Sequence, residues 1–558
     1  MEANFTKINS ALELKKEKIF NEKFWLSFAT GILLSLSFPP LKTGFFAMVG
    51  FVPLLFLIDK IENYKQLFIY SYFSFFFFNL FTLYWVGGWS KEADPFLMVG
   101  CVLLILFHPI LFFLTIWFYM FVKRKIGGKV HLFIFPFVYV LFEYFRSITE
   151  LAFPWLTLGN TQTYFIEKIQ FIEFTGVYGL SFLILVVNVF FYLAIKEIFA
   201  CRKILSKNVL IYLLSGILIY IAPDFYGMFV LKNSEKSSSK ILKVGLIQPD
   251  LNPWLKWEGT HGEQLELYMG MTREIIKADP DVELVVYPET AITYYFLLSP
   301  YRYYFNWFKS WIDSLNVAIL TGFPDAKFYE NPSDAPPSSH LIKETGQRYD
   351  AFNAMGLFLP NSNRIQKYAK MILVPFGERL PYADTFHFLI EPLQWGVGIS
   401  NWAKGKDTTV FEMRRRNGEL VKFSGVVCYE SIYPSLVREF VKRDAQFLVV
   451  ITNDSWYGNT SGPYQHFQYS ILRAVENRRS IVRCANGGIS GFIDPYGRVQ
   501  KKTKFHERTQ IADAIKLNDE KTFYTKHGDI IVYISFYLTI FVFAFAIFKN
   551  FKQRRVAK

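Results

Sequence analysis

Long apolar segments alternate with short polar ones over the first 231 residues, and one more apolar segment lies near the end of the chain. A helix that crosses a bilayer needs about 20 mostly apolar residues. Seven segments approach that length and an eighth is shorter, so eight membrane helices are predicted, and an even number places both termini on the same side. The long segments are 24–42, 66–86, 95–122, 130–148, 171–196, 209–231 and 529–548, and the short one is 43–58.

Basic residues cluster at every second connection between these segments. Cytoplasmic loops of membrane proteins carry an excess of Lys and Arg, so the clustering predicts that both termini are cytoplasmic and that residues 232–528 lie outside. The clustered residues are Lys15, Lys16, Lys18, Lys23, Lys60, Lys65, Lys123, Arg124, Lys125, Lys129, Arg202, Lys203, Lys207, Arg554, Arg555 and Lys558. The other connections carry chiefly Lys42, Lys91 and Lys168.

Composition supports a membrane protein, since 52% of the 558 residues are hydrophobic and 61 are phenylalanine. The net charge of +14 alone would allow a nucleic-acid partner, but the basic residues lie beside apolar segments, so none is expected. The four cysteines show neither CxxC spacing nor the density of a disulfide scaffold, and no metal or cofactor is expected. Because Phe38-Pro39-Pro40 rather than a small-residue cleavage site follows the first apolar segment, that segment is predicted to be retained.

The outer part of the chain begins after a polar linker at 232–240 and has the pattern of an α/β domain. Short apolar segments typical of buried strands alternate with segments typical of helices. The predicted strands are 244–247, 282–286, 317–320, 425–427, 447–451 and 481–482, and the predicted helices are 262–277, 434–443 and 465–478. The Pro- and Ser-rich segment 331–339 is expected to be a surface loop.

Three reactive side chains follow apolar segments of this domain, where α/β folds gather ligand-facing groups. They are Glu289, Lys370 and Cys428. A thiol becomes a strong nucleophile when a base takes its proton, and an ammonium group stabilises negative charge. Each residue also has a structural alternative, because a cysteine after a strand is often a core residue. Cys484 is the rival nucleophile, and a disulfide between it and Cys428 would abolish the chemistry.

Several motifs occur in a fixed order through this domain. They are Tyr287-Pro288-Glu289-Thr290, Lys370 with Leu373-Val374-Pro375-Phe376-Gly377-Glu378, Val427-Cys428-Tyr429-Glu430, Thr452-Asn453-Asp454-Ser455-Trp456-Tyr457-Gly458, Gln465-His466 and Arg473-Ala474-Val475-Glu476. In order and spacing they resemble the successive blocks of bacterial apolipoprotein N-acyltransferases, and the resemblance covers nearly the whole chain. It implies an N-terminal membrane domain of seven helices (1–231), a linker (232–240), an extracytoplasmic nitrilase-like αββα sandwich (241–517) and a last helix with a basic tail (518–558).

The resemblance also implies residue roles. Glu289 corresponds to the general base, Lys370 to its partner at the tetrahedral intermediate, and Cys428 to the nucleophile. The supporting residues that it implies are Glu378, Tyr429 and Glu430, and those that shape the substrate pocket are Trp257 and Asn353. The chain departs from many members of the family at Met371 and Ile372, where a polar residue or His is common, and this puts only the local polarity beside Lys370 in doubt.

The reaction that this family implies is a two-stage acyl transfer in the inner membrane of a bacterium, by a protein expected to be a monomer. The donor would be a phospholipid, with phosphatidylethanolamine expected, and the acceptor a diacylated apolipoprotein. Two alternatives remain at this stage. One is a membrane-tethered amidase acting on a small amide. The other is a transporter or lipid-binding module, for which intramembrane charges are few; the main ones, Glu143 and Arg146, are expected at the membrane interface.

Three segments of the outer domain are unusually rich in aromatic and aliphatic residues. They are 294–298, 301–311 and 386–402. Exposed apolar patches normally mark an interaction surface, so these segments are interpreted as arms that enter the outer leaflet. The alternative is that they are buried within the domain.

Overall fold

A computed structural model of the chain describes residues 21–89, 93–126, 128–234, 240–390 and 401–556. The N-terminal half is helical. Its α-helices are α1 (Glu22–Leu36), α2 (Val52–Lys60), α3 (Tyr64–Leu83), α4 (Pro95–Ile126), α5 (Val130–Phe145), α6 (Ile166–Ile169), α7 (Ile172–Cys201) and α8 (Lys207–Asn233). Lys15, Lys16, Lys18 and Lys558, which support the predicted orientation, lie outside the described residues, as does Lys91 of the sparsely basic connections.

Within the described part of the chain, five helices are long and apolar enough to cross a membrane. They are Tyr64–Gly87, Pro95–Ile126, Ile172–Cys201, Lys207–Asn233 and Ile530–Phe548. The predicted count of eight is not confirmed, because α1 has 15 residues, α2 has 9 and α5 has 16. Proline limits the length of α1, which ends just before Pro39 and Pro40. A proline inside a helix removes a backbone hydrogen bond.

Glu143 and Arg146 are buried at the end of α5, with 2% and 9% of their surfaces exposed. The Glu143 carboxylate accepts a hydrogen bond from the Leu158 N–H at 2.8 Å. The Arg146 guanidinium lies over the Phe112 ring, 4.0 Å from its centroid. Both side chains are thus enclosed by protein, where they hold the segment that follows α5 against the helix bundle; their position at the membrane interface stays a prediction.

The second half of the chain contains two β-sheets. Their strands are β1 (Ile241–Gln248), β2 (Leu284–Val286), β3 (Ala318–Phe328), β4 (His340–Leu341), β5 (Arg348–Phe358), β6 (Ile365–Ala369), β7 (Phe411–Arg414), β8 (Leu420–Val427), β9 (Phe447–Thr452), β10 (Ser480–Ala485), β11 (Gly491–Ile493), β12 (Val499–Lys502) and β13 (Thr509–Lys516). The first sheet has the order β13-β1-β2-β3-β5-β4, with β6 also paired to β5, and the second has the order β12-β11-β10-β9-β8-β7. All six predicted strands are present.

Helices cover the outer face of each sheet, which makes four layers. They are α9 (His261–Ala278) and α10 (Arg302–Leu315) on the first sheet, and α11 (Pro434–Lys442) and α12 (Ser461–Asn477) on the second. Alternate residues of a strand point to opposite faces. Accordingly Leu284 and Val286 of β2 face the core between the sheets, whereas Val285 faces α9 and α10. The α/β layering predicted from the sequence is confirmed.

Two of the three predicted membrane arms belong instead to the core. Phe296 and Phe308 are fully buried against the first sheet, and most other aromatic residues of 294–298 and 301–311 are buried or half-buried. Tyr303 is the exception, at 75% exposed. In the third segment, Phe388 is 64% exposed and Trp402 only 5%, and residues 391–400 lie outside the described residues.

Replacing Phe308 with alanine is therefore expected to destabilise the protein by about 3–5 kcal/mol, because the change leaves a cavity under α10. Serine at Tyr303 is the matched control and should have little effect, since that side chain lies at the surface. Thermal unfolding of the purified protein in detergent would measure both. A Phe308→Ala protein as stable as the wild type would contradict the buried position of this helix.

Buried hydrogen bonds join the domain that contains the two β-sheets to the N-terminal half of the chain. The Gln465 side chain on α12 accepts from the indole N–H groups of Trp85 (3.1 Å) and Trp155 (2.7 Å) and donates to the Pro39 carbonyl at 2.9 Å. Nearby, the Glu476 carboxylate accepts from the Val177 N–H at 2.9 Å. Two further helices, α13 (Phe523–His527) and α14 (Ile530–Val556), return the chain to the bundle. The two halves thus share one buried interface.

Candidate active site

The three reactive residues expected from the sequence lie at the ends of strands. Glu289 follows β2 by three residues, Lys370 follows β6 directly, and Cys428 follows β8 directly. Strand β2 runs parallel to β3, and β8 runs parallel to β9. The carboxyl ends of parallel strands meet at one edge of a sheet, which is where α/β folds place functional groups. All three residues line a single cleft.

A buried cluster of one ammonium, two carboxylates and one amide forms the floor of this cleft. Lys370 Nζ lies 2.8 Å from Glu378 Oε1 and 3.5 Å from Glu289 Oε1. The Asn353 amide donates to Glu289 at 2.8 Å and to Glu378 at 3.2 Å. None of the four residues exposes more than 8% of its surface. Asn353 therefore holds the two carboxylates in fixed positions on either side of the lysine.

Charge and burial set the resting protonation of this cluster. Burial lowers the pKa of Lys370, but attraction to Glu378 and Glu289 outweighs it and holds the pKa above its ordinary value, so the amine is an ammonium ion. Burial raises the pKa of the Cys428 thiol, Glu289 raises it further, and Lys370 opposes both. The thiol is therefore neutral at rest and needs a base to become a nucleophile.

Cys428 has a strained backbone conformation, with φ of +53°. Non-glycine residues rarely adopt this left-handed region, and a nucleophile on a sharp strand-to-helix turn is a known way to expose its reactive atom. The Glu430 carboxylate supports the turn by accepting from the Val427 N–H at 2.8 Å. The same carboxylate accepts from Met371 N at 2.7 Å and Ile372 N at 3.0 Å. One buried side chain thus fixes both the cysteine turn and the segment after Lys370.

A second network behind Cys428 was not assigned a role from the sequence. Asp454 lies 2.8 Å from His466 Nδ1 and 2.7 Å from Arg483 Nη2, and His466 Nε2 lies 2.8 Å from Ser431 Oγ and 3.1 Å from the Cys428 carbonyl oxygen. The only sequence signal was that Asp454 and His466 lie in the motifs that carry the family resemblance.

Cys428, Asp454 and His466 each place one potential metal-ligating atom within 4.8 Å of the others. Both nitrogens of His466 and both oxygens of Asp454 already have hydrogen-bonding partners. Burial and Arg483 lower the pKa of His466 despite Asp454, so its imidazole is neutral at neutral pH. The network fits a rigid support for the cysteine turn better than a ligand set.

The walls of the cleft include five aromatic residues and extend to the membrane domain. The cavity volume of the cleft is about 120 Å³. Trp257 lies on its wall as the sequence predicts. The lining residues that the sequence analysis did not name as pocket residues include Asp94, Leu97, Trp254, Trp456 and Tyr457. Asp94 directly precedes α4 and Leu97 lies in its first turn, so the start of this membrane helix forms part of the cleft wall.

The remaining predicted residues lie elsewhere. Tyr429 does not line the cleft among the described residues; its hydroxyl donates to the Ala152 carbonyl of the membrane domain at 2.9 Å. Cys484 is fully buried, 3.2 Å from the carbonyl oxygens of Ile247 and Val286. Cys428 and Cys484 are both free thiols, so the disulfide that would have blocked the chemistry is not formed.

The sequence comparisons agree with this architecture. Residues 243–523 match the carbon-nitrogen hydrolase family, and residues 30–190 match the apolipoprotein N-acyltransferase N-terminal domain. The fold and site are thus those of a carbon-nitrogen hydrolase joined to a helical N-terminal domain.

Related proteins cover nearly the full length of the chain. The apolipoprotein N-acyltransferase of Chlorobaculum tepidum is 33% identical over 535 residues, covering 94% of this chain and 97% of that protein. That of Geobacter metallireducens is 29% identical over 512 residues, covering 91% and 92%. The chain belongs to the apolipoprotein N-acyltransferase family. Among solved structures, Saccharomyces cerevisiae Nit3, a member of branch 10 of the nitrilase superfamily, matches 50% of this chain and 93% of its own, with 16% identity and a TM-score of 0.36.

Proposed function

We propose that this protein transfers a fatty acyl chain from a membrane phospholipid to the N-terminal amine of a diacylglyceryl-cysteine apolipoprotein, through a thioester on Cys428. The observation that carries the proposal is the cleft itself. It brings Cys428 together with Glu289, Lys370 and Glu378, and the start of the membrane helix α4 forms part of its wall. Two lipid substrates require a cleft that adjoins the membrane helices, because their reactive groups stay at the membrane surface.

In the first stage Glu289 takes the Cys428 thiol proton, and Sγ attacks the ester carbonyl carbon of the phospholipid. The carbonyl oxygen gains negative charge, which the Lys370 ammonium stabilises without itself losing a proton. The intermediate collapses by breaking the ester C–O bond. The lysophospholipid alkoxide leaves with the proton from Glu289, and the acyl chain stays on sulfur. Glu378 and Asn353 hold Lys370 and Glu289 in position through the hydrogen bonds described above.

In the second stage the apolipoprotein amine attacks the thioester carbonyl, Glu289 accepts a proton from the nitrogen, and the C–S bond breaks. Glu289 passes this proton to the departing sulfur, so the products are an N-acyl amide and the regenerated Cys428 thiol. Water competes with the amine for the thioester, so the cleft must stay dry between stages. Its aromatic walls, which include Trp257, Trp402 and Trp456, supply that exclusion.

The proposal also includes the domain limits, the orientation in the membrane, the donor lipid and the oligomeric state. The domain limits are 1–231, 232–240, 241–517 and 518–558, with the outer domain on the periplasmic side of a bacterial inner membrane and both termini in the cytoplasm. Phosphatidylethanolamine is the proposed donor, and the protein acts as a monomer. The positions of the basic clusters support the orientation, and the presence of Asp94 and Leu97 in the cleft wall supports lateral entry of lipid.

Incubating the protein with labelled phospholipid and a diacylated lipopeptide tests the function. We expect a thioester on Cys428 before the lipopeptide is added, and transfer of the label to the peptide amine afterwards. Intact-protein mass spectrometry detects the thioester as the mass of one acyl chain. Hydrolysis of small amides without any acyl-enzyme from phospholipid would instead indicate a membrane-tethered amidase.

A further inference from the structure

A second cavity lies between the two halves of the chain, separated from the cleft by the segment that follows Lys370. Lys370, Val374 and Glu378 face the cleft, whereas Ile372, Leu373 and Pro375 face the second cavity. The opposite wall is formed by Ser147, Ile148, Thr149, Glu150 and Ala152, which follow α5. The space is about 640 Å³ including its open mouth. Nothing in the proposed acyl transfer uses it.

Three charged side chains line this cavity, two positive and one negative. Lys404 Nζ lies 2.6 Å from a Glu150 oxygen, and the Tyr382 N–H donates to the other Glu150 oxygen at 2.6 Å. Burial raises the pKa of Glu150, but Lys404, the Tyr382 N–H and the charge of Arg379 together hold it below its ordinary value. The carboxylate is therefore ionised, and Arg379 is close enough to act on it.

Arg379 lies on the wall of this cavity. Its side chain is 8% exposed, and its two terminal nitrogens donate to the Trp402 carbonyl at 3.0 Å, to Ser338 Oγ at 2.8 Å and to Asp384 Oδ2 at 3.3 Å. A guanidinium has five N–H groups, so these three hydrogen bonds leave donor capacity for a further acceptor. Arginine is well suited to phosphate, and its charge at the wall favours an anionic group in the cavity.

The surroundings indicate a lipid as the source of that anion. The wall from Ser147 to Ala152 directly follows α5 and so lies at the end of the helix bundle that faces the catalytic domain. Ile148 and Leu151 are more than half exposed there, and exposed apolar side chains beside a polar cavity suit the junction of acyl chains and headgroups. Paired positive and negative groups complement a zwitterion better than a simple anion.

We propose that this cavity binds the headgroup of a zwitterionic phospholipid. The phosphate accepts hydrogen bonds from Arg379 and Lys404, the ammonium group of a phosphoethanolamine headgroup pairs with Glu150, and the acyl chains lie along Ile148 and Leu151. The site is separate from the reactive cleft and does not depend on the acyl-transfer chemistry. A lipid bound there would contact the segment that carries Lys370 from its other side.

Native mass spectrometry of delipidated protein in detergent tests this site by counting bound lipids. The Cys428→Ala background prevents turnover. With phosphatidylethanolamine, Lys404→Met and Glu150→Gln should each raise the dissociation constant of one bound lipid by about tenfold, which is the effect of losing one hydrogen bond to a charged group. The matched controls are the exposed residues Lys406→Met and Glu344→Gln, which do not line the cavity and should bind as the parent does.

Two further ligands identify what is recognised. Phosphatidylglycerol carries the phosphate without the ammonium, so Lys404→Met should weaken its binding and Glu150→Gln should not. Inorganic phosphate should fail to displace phosphatidylethanolamine at equal concentration, because it lacks the ammonium and the acyl chains. Displacement at equal concentration would indicate a site for free phosphate and overturn the proposal. So would parent-like binding by both cavity variants, or equal weakening by the control variants.

Discussion

Replacing Cys428 with alanine is expected to abolish acyl transfer, lowering kcat/KM by at least about 10³-fold. The acyl chain then has no atom to which it can attach between donor and acceptor. Serine at the same position should also be severely impaired, because a hydroxyl is much harder to deprotonate than a thiol and Glu289 is the only proposed base. Mass spectrometry after incubation with labelled phospholipid measures how much acyl-enzyme each variant forms.

The matched control for these variants is Cys201→Ser. Cys201 is also a free cysteine. It lies at the end of α7 and is not among the residues that line the cleft. This variant should form the acyl-enzyme at the wild-type rate. Full activity of the Cys428→Ala protein would show that the proposed thioester does not exist.

Replacing Lys370 with methionine should reduce transfer by about 10²–10³-fold, the usual cost of losing one group that stabilises an oxyanion. It should also destabilise the fold by about 3–5 kcal/mol, because Glu289 and Glu378 would remain buried and close together without their shared cation. Thermal unfolding and the rate of acyl-enzyme formation measure the two effects separately.

A double variant separates the two roles of the lysine. In Lys370→Met/Glu378→Gln one of the two uncompensated charges is removed, so stability should recover in part while transfer stays low. The matched control is Lys367→Met, since Lys367 lies on β6, the strand that Lys370 follows, but its side chain is 44% exposed, and its ion pair with Asp325 is at the surface. Recovery of activity in the double variant would mean that Lys370 acts only as a structural counter-ion.

The strands and the reactive trio could be predicted because each depends on local sequence. Short apolar segments such as Phe447–Thr452 have few alternatives to a buried strand, and a motif such as Tyr287-Pro288-Glu289 identifies a strand end directly. The positions of Glu289, Lys370 and Cys428 around one cleft agree with that prediction. Their catalytic roles stay predictions that the variants above will test.

Other features depend on contacts between distant parts of the chain. The hydrogen bonds from Met371 and Ile372 to Glu430 join segments 58 and 59 residues apart, and no local pattern encodes them. Aromatic segments look alike whether they face lipid or a protein core, which explains why 301–311 was assigned to the membrane. Hydropathy likewise extended the first span to residue 42, past the point where the structure ends α1 at Leu36.

The buried amide of Gln465 has a practical consequence for inhibitor discovery. It satisfies two indoles and a backbone carbonyl that all belong to the N-terminal half of the chain, so cutting the chain near residue 240 would strip partners from both sides of the cut. A shortened, water-soluble fragment would therefore be a poor surrogate for compound screening. Assays should use the intact polypeptide in nanodiscs or micelles, where the helix that carries Gln465 keeps its natural neighbours.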